Sequence, residues 1–166
     1  RQVKFIAERY QQAVLAERFL EDREFTVGVL GNGSDIEVLP IKEIEFISEL
    51  QNNRSLQTYE IKAVDMVRSI CPSRLECEDP CMAKYIKDCA RMAFNAVGCR
   101  DFARLDFRMD SQGNPFLLEI NTLPGMKPDY SDFPQIAEAA GYPYSALVIK
   151  LLDIAWKRYY PEVGLA

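Results

Sequence analysis

The sequence predicts an α+β fold, a mostly antiparallel sheet with flanking helices. Three observations predict it. "EFTVGVLGNGSDIEVLPIKEIEF" reads as strand, turn, strand, and "FARLDFRMDSQGNPFLLEIN" reads the same way. Helical patterns stand apart from these pairs, at residues 80–97 and at the C-terminal end, without regular βαβ alternation.

The 166 residues are the size of one domain, and 48% hydrophobic with 27% charged is ordinary for a soluble globular chain. The net charge of -5 argues against nucleic acid as the main partner, because phosphate binding calls for a basic surplus. No apolar run approaches the roughly 18–20 residues that span a membrane, and no signal peptide is visible. The first residue is Arg1 and a helical pattern starts at once, so the chain reads as part of something longer.

In order, "VKFIAERYQQ" puts Val3, Ile6 and Tyr10 on one helical face, and "AVLAERFL" reads as a strand leading into a loop. In the first hairpin, "GNGS" supplies the φ > 0 positions of a tight turn, and Pro40 marks a kink or an edge in the second arm. Residues 47–80 have little periodicity and read as long polar loops, of the kind that form lids, with Lys62 between them. Helix resumes after "EDP", with Asp79 as N-cap, Pro80 as first helical residue and Gly98 as the stop. After the second hairpin come the loop "TLPGMKPDYSD" and the helices "FPQIAEAAG" and "YSALVIKLLDIAWKRYY"; in the last, Trp156, Tyr159 and Tyr160 read as packing.

Cys71, Cys77, Cys81, Cys89 and Cys99 match no zinc spacing, and there is no histidine. Reduced cytosolic thiols are expected, with a zinc site from the first four as the alternative. The missing histidine also removes Ser-His and Cys-His catalysis.

The second hairpin carries the chemistry. Ala103, Leu105, Phe107 and Met109 share one face, as do Phe116, Leu118 and Ile120, and both sets are assigned to the core. Arg104, Asp106, Arg108 and Asp110 share the other, with Leu117, Glu119 and Asn121. If "SQGN" is a four-residue loop, Asp110 pairs with Pro115, Asp106 faces Glu119, and Arg104 faces Asn121. Like charges facing across strands are destabilising, so a cation is required. Arg104 and Arg108 are one source, making a salt-bridged sheet face. A divalent cation is the other, since two carboxylates and an amide oxygen are hard donors. Gly125, close behind Asn121, allows a backbone N–H to approach an anion, and Arg104 suits a phosphate or acyl-phosphate oxygen.

"ARLDFRMDSQGNPFLLEINTLPGM" closely resembles the metal-binding segment of the ATP-grasp superfamily, and within it the D-alanine–D-alanine ligases. "AERFLEDREFTVGVLG" resembles the adenine-contacting hinge, "YEIKAVD" the segment with a phosphate-contacting lysine, and "AAGYPYSALVIKLLDIA" the C-terminal helices. The resemblance implies an ATP-grasp C-terminal domain over residues 18–166, preceded by the end of the central domain, a helix plus strand, at residues 1–17. It implies that Asp106, Glu119 and Asn121 hold Mg2+ (or Mn2+) bridging ATP phosphates. Arg104 and the Gly125 backbone would stabilise oxyanions, and Lys62 would contact phosphate. Glu17, Arg18 and Leu20 would line the adenine pocket, Glu24 would bind the ribose, and Ser131 would meet the carboxylate of the acceptor amino acid.

The chain departs from that pattern at Arg18, often Lys; at Asp22, commonly Gly; and at Arg108, in place of an apolar residue over the adenine. The loop from Gly125 to Ser131 reads as one residue longer, which would let Tyr130 displace Ser131. Without the resemblance, Glu17 and Glu24 are surface carboxylates, Lys62 a solvated lysine, and Ser131 a helix cap. The function implied is part of an ATP-dependent carboxylate–amine ligase for D-alanine or another amino acid, cytoplasmic, with the remainder of the same enzyme and optionally a second copy as partners. A non-catalytic nucleotide-binding module is the alternative.

Overall fold

The computed structural model describes residues 2–46 and 67–161. The elements run α1 (Gln2–Tyr10), β1 (Glu24–Leu30), β2 (Glu37–Phe46), β3 (Val67–Ile70), α2 (Leu75–Glu78), α3 (Pro80–Ala96), β4 (Phe102–Met109), β5 (Pro115–Asn121), α4 (Asp132–Ala139) and α5 (Tyr144–Tyr159). The strands form one antiparallel sheet, ordered β3-β2-β1-β4-β5. The α+β expectation holds.

β1 is central and covered on both faces, so its residues from Phe25 to Leu30 are all buried and its sequence is nearly continuously apolar. On one face, Phe25, Val27 and Val29 join Ala103, Leu105 and Phe107 of β4. Against them α3 presents Ala83, Ile86, Ala90 and Phe94, one stripe at helical spacing. Each large side chain buried this way contributes about 1.5–3 kcal/mol. Asp79 caps α3, accepting from the Met82 N–H at 3.0 Å, and Pro80 opens it.

The other face is divided. At one end Leu30 and Leu39 meet Phe133, Ile136 and Ala137 of α4, with Leu147 and Ile154 of α5 behind. Gly28 permits this: a Cβ there would lie 2.9 Å from Leu39 Cδ1 and 3.3 Å from Phe133 Cε2. The rest of that face is left to polar residues.

The β1–β2 connection carries a 3-10 turn at Gly33–Asp35 and is longer than a tight hairpin turn. It needs glycine at Gly31, where φ is +97° and a Cβ would lie 2.3 Å from the Asp35 carbonyl oxygen. Pro40 sits in a bulge: Val27 pairs with Ile41 but Val29 with Val38, and β3 pairs only with Glu43–Phe46. The missing N–H of Pro40 therefore interrupts no ladder.

Three expectations are corrected. Residues 13–20 form no strand; backbone bonding to the sheet starts only at Asp22 and Arg23, which bond Met109 of β4. Residues 67–80 are not loop throughout, since β3 and α2 form there; residues 47–66, with Lys62, lie outside the described residues. Phe116 and Leu118 are not core but 39% and 52% exposed. β5 is an edge strand, and a bulge turns Phe116 to face Arg108; Ile120 alone packs onto the core.

That bulge also settles the register. The turn closes between Asp110 and Asn114, with Asp110 N–H donating to the Asn114 carbonyl at 3.0 Å and Gly113 at φ +80°. Met109, not Asp110, therefore pairs with Pro115. The one-residue error is cancelled between Phe107 and Asp106, so Asp106 faces Glu119 and Arg104 faces Asn121 as expected. Among the described residues no helix is long and apolar enough to cross a membrane. Nor are three cysteine or acidic side chains gathered to hold a metal, which leaves the zinc alternative without support.

Candidate active site

One row of paired residues crosses four strands: Lys42 on β2, Thr26 on β1, Asp106 on β4 and Glu119 on β5. Alternation puts them all on the polar face. In the next row Gly28, Arg104 and Asn121 are paired, and α4 begins above them.

Arg104 supplies the compensating charge between the strands. Its Nε donates to Asp106 Oδ1 at 3.0 Å and one terminal nitrogen to Oδ2 at 2.7 Å, a bidentate grip. The same nitrogen lies 3.5 Å from Glu119 Oε1, and the other 3.5 Å from Asp132 Oδ2. Burial opposes the charge on Arg104, but the hydrogen bonds to Asp106 and the fields of Asp106, Asp132 and Glu119 outweigh it, holding the guanidinium above its usual value. Thr26 donates its hydroxyl to Asp106 Oδ1. The Asp106 side chain is 19% exposed and that of Glu119 60% exposed, so the pair lies at the open side of the sheet.

Asp106, Glu119 and Asn121 fit a hard divalent cation by donor chemistry: two carboxylates directly opposed and an amide oxygen one row on. Asn121 Oδ1 accepts from the Leu123 N–H at 3.2 Å, which fixes the start of the following loop.

That loop brings Gly125 and Ser131 together. A Cβ on Gly125 would lie 2.8 Å from Ser131 Oγ. Ser131 occupies the cap position of α4, yet its hydroxyl makes no capping bond; it accepts from the Lys127 N–H at 3.1 Å. The capping interpretation therefore does not describe this hydroxyl. Tyr130 is exposed, with Lys127 Nζ 4.8 Å from its ring, so Ser131 is the residue that faces Gly125.

The expected nucleotide contacts gather at the other end of β1 and β4. Leu20 is buried. Arg18 lies 5.1 Å from the Phe116 ring and 3.8 Å from Asp110, beside a cleft of ≈ 240 Å³ lined by Arg18, Phe19, Glu21, Asp110, Ser111 and Gln112. Glu24 accepts from Arg108 at 3.0 Å, and Arg108 lies 4.9 Å from the Phe19 ring. Arg108 therefore serves Glu24 rather than the Asp106–Glu119 pair, and burial pushes its guanidinium below the usual value. Glu17 is exposed on the irregular segment. A cavity of ≈ 360 Å³ between the β1–β2 turn and α5 contains none of these residues.

Sequence reasoning missed Thr26, Lys42, Asp132 and Gln135. Lys42 and Thr26 are assigned to the site by the pairing of β1 with β2, and the bulge at Leu39 and Pro40 defeats counting from the turn.

A family model described as "D-ala D-ala ligase C-terminus" matches residues 3–153. The chain is 40% identical over 148 residues to a D-alanine--D-alanine ligase of Chromohalobacter salexigens, covering 89% of this chain and 43% of that protein. It is 38% identical over 160 residues to the uncharacterized protein y4sG of Sinorhizobium fredii, covering 95% of this chain and 45% of that one. The chain thus spans less than half the length of these relatives. The VanG D-Ala:D-Ser ligase of Enterococcus faecalis superposes with a TM-score of 0.63 at 26% identity, covering 83% of this chain and 37% of that one. The D-alanine--D-alanine ligase of Bacillus anthracis, complexed with ATP, superposes with a TM-score of 0.73 at 21% identity, covering 98% and 49%, a likeness of fold. With a family model matched over residues 3–153, nearly its whole length, the chain belongs to the D-Ala–D-Ala ligase C-terminal family.

Proposed function

We propose that the full-length protein is an ATP-dependent carboxylate–amine ligase, acting on D-alanine to make a peptidoglycan precursor in the cytoplasm. The observation that carries this reading is the direct opposition of Asp106 and Glu119, bridged by Arg104 on the face where Ser131 meets Gly125. In this reading one substrate's carboxylate oxygen bonds to the γ-phosphorus of ATP as the bond to ADP breaks. The amine nitrogen of the second substrate then bonds to the acyl carbon, phosphate leaves, and the amine loses its proton to solvent.

Asp106, Glu119 and Asn121 would hold Mg2+ (or Mn2+), which neutralises phosphate charge when bound. Arg104, tethered at Asp106, would direct its remaining N–H groups at developing oxyanions together with the Gly125 N–H. Ser131 would orient the acceptor carboxylate. Glu17, Arg18, Leu20 and Glu24 would bind the nucleoside, and Lys62 the phosphates. A ligase for a different amino acid is the second reading. One structural neighbour, named a D-Ala:D-Ser ligase, favours it. The residues before this segment would complete the site, and a homodimer is compatible with it, so the isolated 166-residue chain is expected to fold without ligating.

The test is to incubate the full-length protein with Mg-ATP and D-alanine and to follow ADP, phosphate and dipeptide. Equal yields of the three support the reading. ATP hydrolysis without dipeptide from D-alanine or any other amino acid refutes it.

A further inference from the structure

Lys42 has no part in the reading above, yet its position is unusual for a lysine. Its side chain is 3% exposed, on the polar face of β2. Nζ donates to Asp132 Oδ1 at 2.9 Å and also to Gln135 Oε1. A lysine is almost never buried to this degree unless paired. Both acceptors belong to the first turn of α4. Asp132 is shared, since its Oδ2 lies 3.5 Å from Arg104. One carboxylate thus links β2, β4 and α4, and the residue before it is Ser131.

We propose that Lys42 is a positioning residue for the acceptor side of the ligase site. Through Asp132 and Gln135 it pins the first turn of α4 to the sheet. This sets Ser131 Oγ against Gly125 and holds Arg104 between Asp106 and Asp132. The inference rests on the ligase reading for its kinetic consequence, but its structural part is independent of it. Phe133 and Ile136 seat α4 on Gly28 by apolar contact, so loss of Lys42 is expected to turn the first helical turn rather than undock the helix. Arg18, Leu20 and Glu24, proposed above to bind the nucleoside, belong to the segment before β1 and to its first residue, away from α4, so the effect should fall on the acceptor and spare ATP.

The experiment compares Lys42→Met, Lys42→Arg and Asp132→Asn in the full-length protein. Lys42→Met is expected to raise the acceptor KM about 10- to 10²-fold, the upper end being what a misplaced group can cost, with the ATP KM held within about twofold. Lys42→Arg should recover most of the loss, because it restores a cation to Asp132. The second readout is amide exchange at Lys127, whose N–H is held by Ser131 Oγ at 3.1 Å. Exchange there should quicken about tenfold in Lys42→Met and stay near wild type in Lys42→Arg. Wild-type exchange in Lys42→Met, or equal rises in the two KM values, overturns the proposal. If Lys42→Met does not fold, Asp132→Asn decides by the same two readouts. If the wild-type protein ligates no amino acid, the ligase reading fails, and Lys127 exchange still decides whether Lys42 positions Ser131.

Discussion

Gly125→Ala should damage the site far more than it damages the fold. A Cβ on Gly125 would lie 2.8 Å from Ser131 Oγ and 3.4 Å from Ser131 Cβ. The Gly125 backbone is outside the left-handed region, so alanine brings no backbone strain there. The Ser131 hydroxyl must turn away and give up the bond it accepts from Lys127. A neutral hydrogen bond of this kind is worth about 0.5–1.5 kcal/mol net, so the stability loss should be about 1 kcal/mol. Turnover should fall about 10²–10³-fold, the cost of displacing one oxyanion donor. A double-mutant cycle with Ser131→Ala isolates the contact. Ser131→Ala alone loses the same hydrogen bond, and adding Gly125→Ala then meets no hydroxyl and should cost nothing further. The coupling is therefore expected at about 1 kcal/mol. Urea unfolding measures the stabilities, and steady-state kinetics on the full-length protein measure turnover. Stability changes that add within about 0.3 kcal/mol, or a Gly125→Ala protein with wild-type turnover, would refute the reasoning.

Two further predictions concern the scaffold. Gly28→Val should lower stability by about 1–3 kcal/mol, by overpacking against Leu39, Phe133 and Ile136, and an unchanged urea midpoint would show that α4 is not seated on Gly28. Acid should destabilise the fold at two carboxylates. Hydrogen bonds from Arg158 hold Asp101 below its ordinary 3.8, against the opposing effect of burial and with help from Asn32. Burial pushes Glu43 up, but bonds from Arg23 and Ser73 prevail and leave it below its ordinary 4.5. Stability from a depressed carboxylate is fully present above its unfolded value and is lost as pH falls through the folded one. The urea midpoint should therefore drop as pH falls below these ordinary values, and Arg158→Met should flatten that drop; an equally steep drop in the variant contradicts the Asp101 assignment.

The second hairpin was legible because one face alternates apolar and the other carries Arg104, Asp106, Glu119 and Asn121, a pattern that period-2 geometry fixes. The register came out correctly through two compensating features: a turn misread by one residue, and a bulge beside Asp106 with no visible sequence signal. The strand assigned at residues 13–20 was not legible, since a strand exists only where a partner pairs with it. Exposure of Phe116 and Leu118 depends likewise on β5 being an edge, which is a property of the sheet and not of the segment. Lys42 and Asp132 lie 90 residues apart in sequence and meet only because α4 settles on Gly28. Helix α3 was read correctly to its ends, because Asp79, Pro80 and Gly98 act locally.

The central claim is that Asp106 and Glu119 form the metal–nucleotide corner of a ligase, and Asp106→Asn in the full-length protein tests it most directly. The measurement is phosphate release with Mg-ATP and D-alanine, beside the urea midpoint of the same variant. Turnover should fall beyond the roughly 10–100-fold that removal of an outer-shell partner brings, with stability changed by no more than about 1 kcal/mol. Wild-type turnover in Asp106→Asn would contradict the claim.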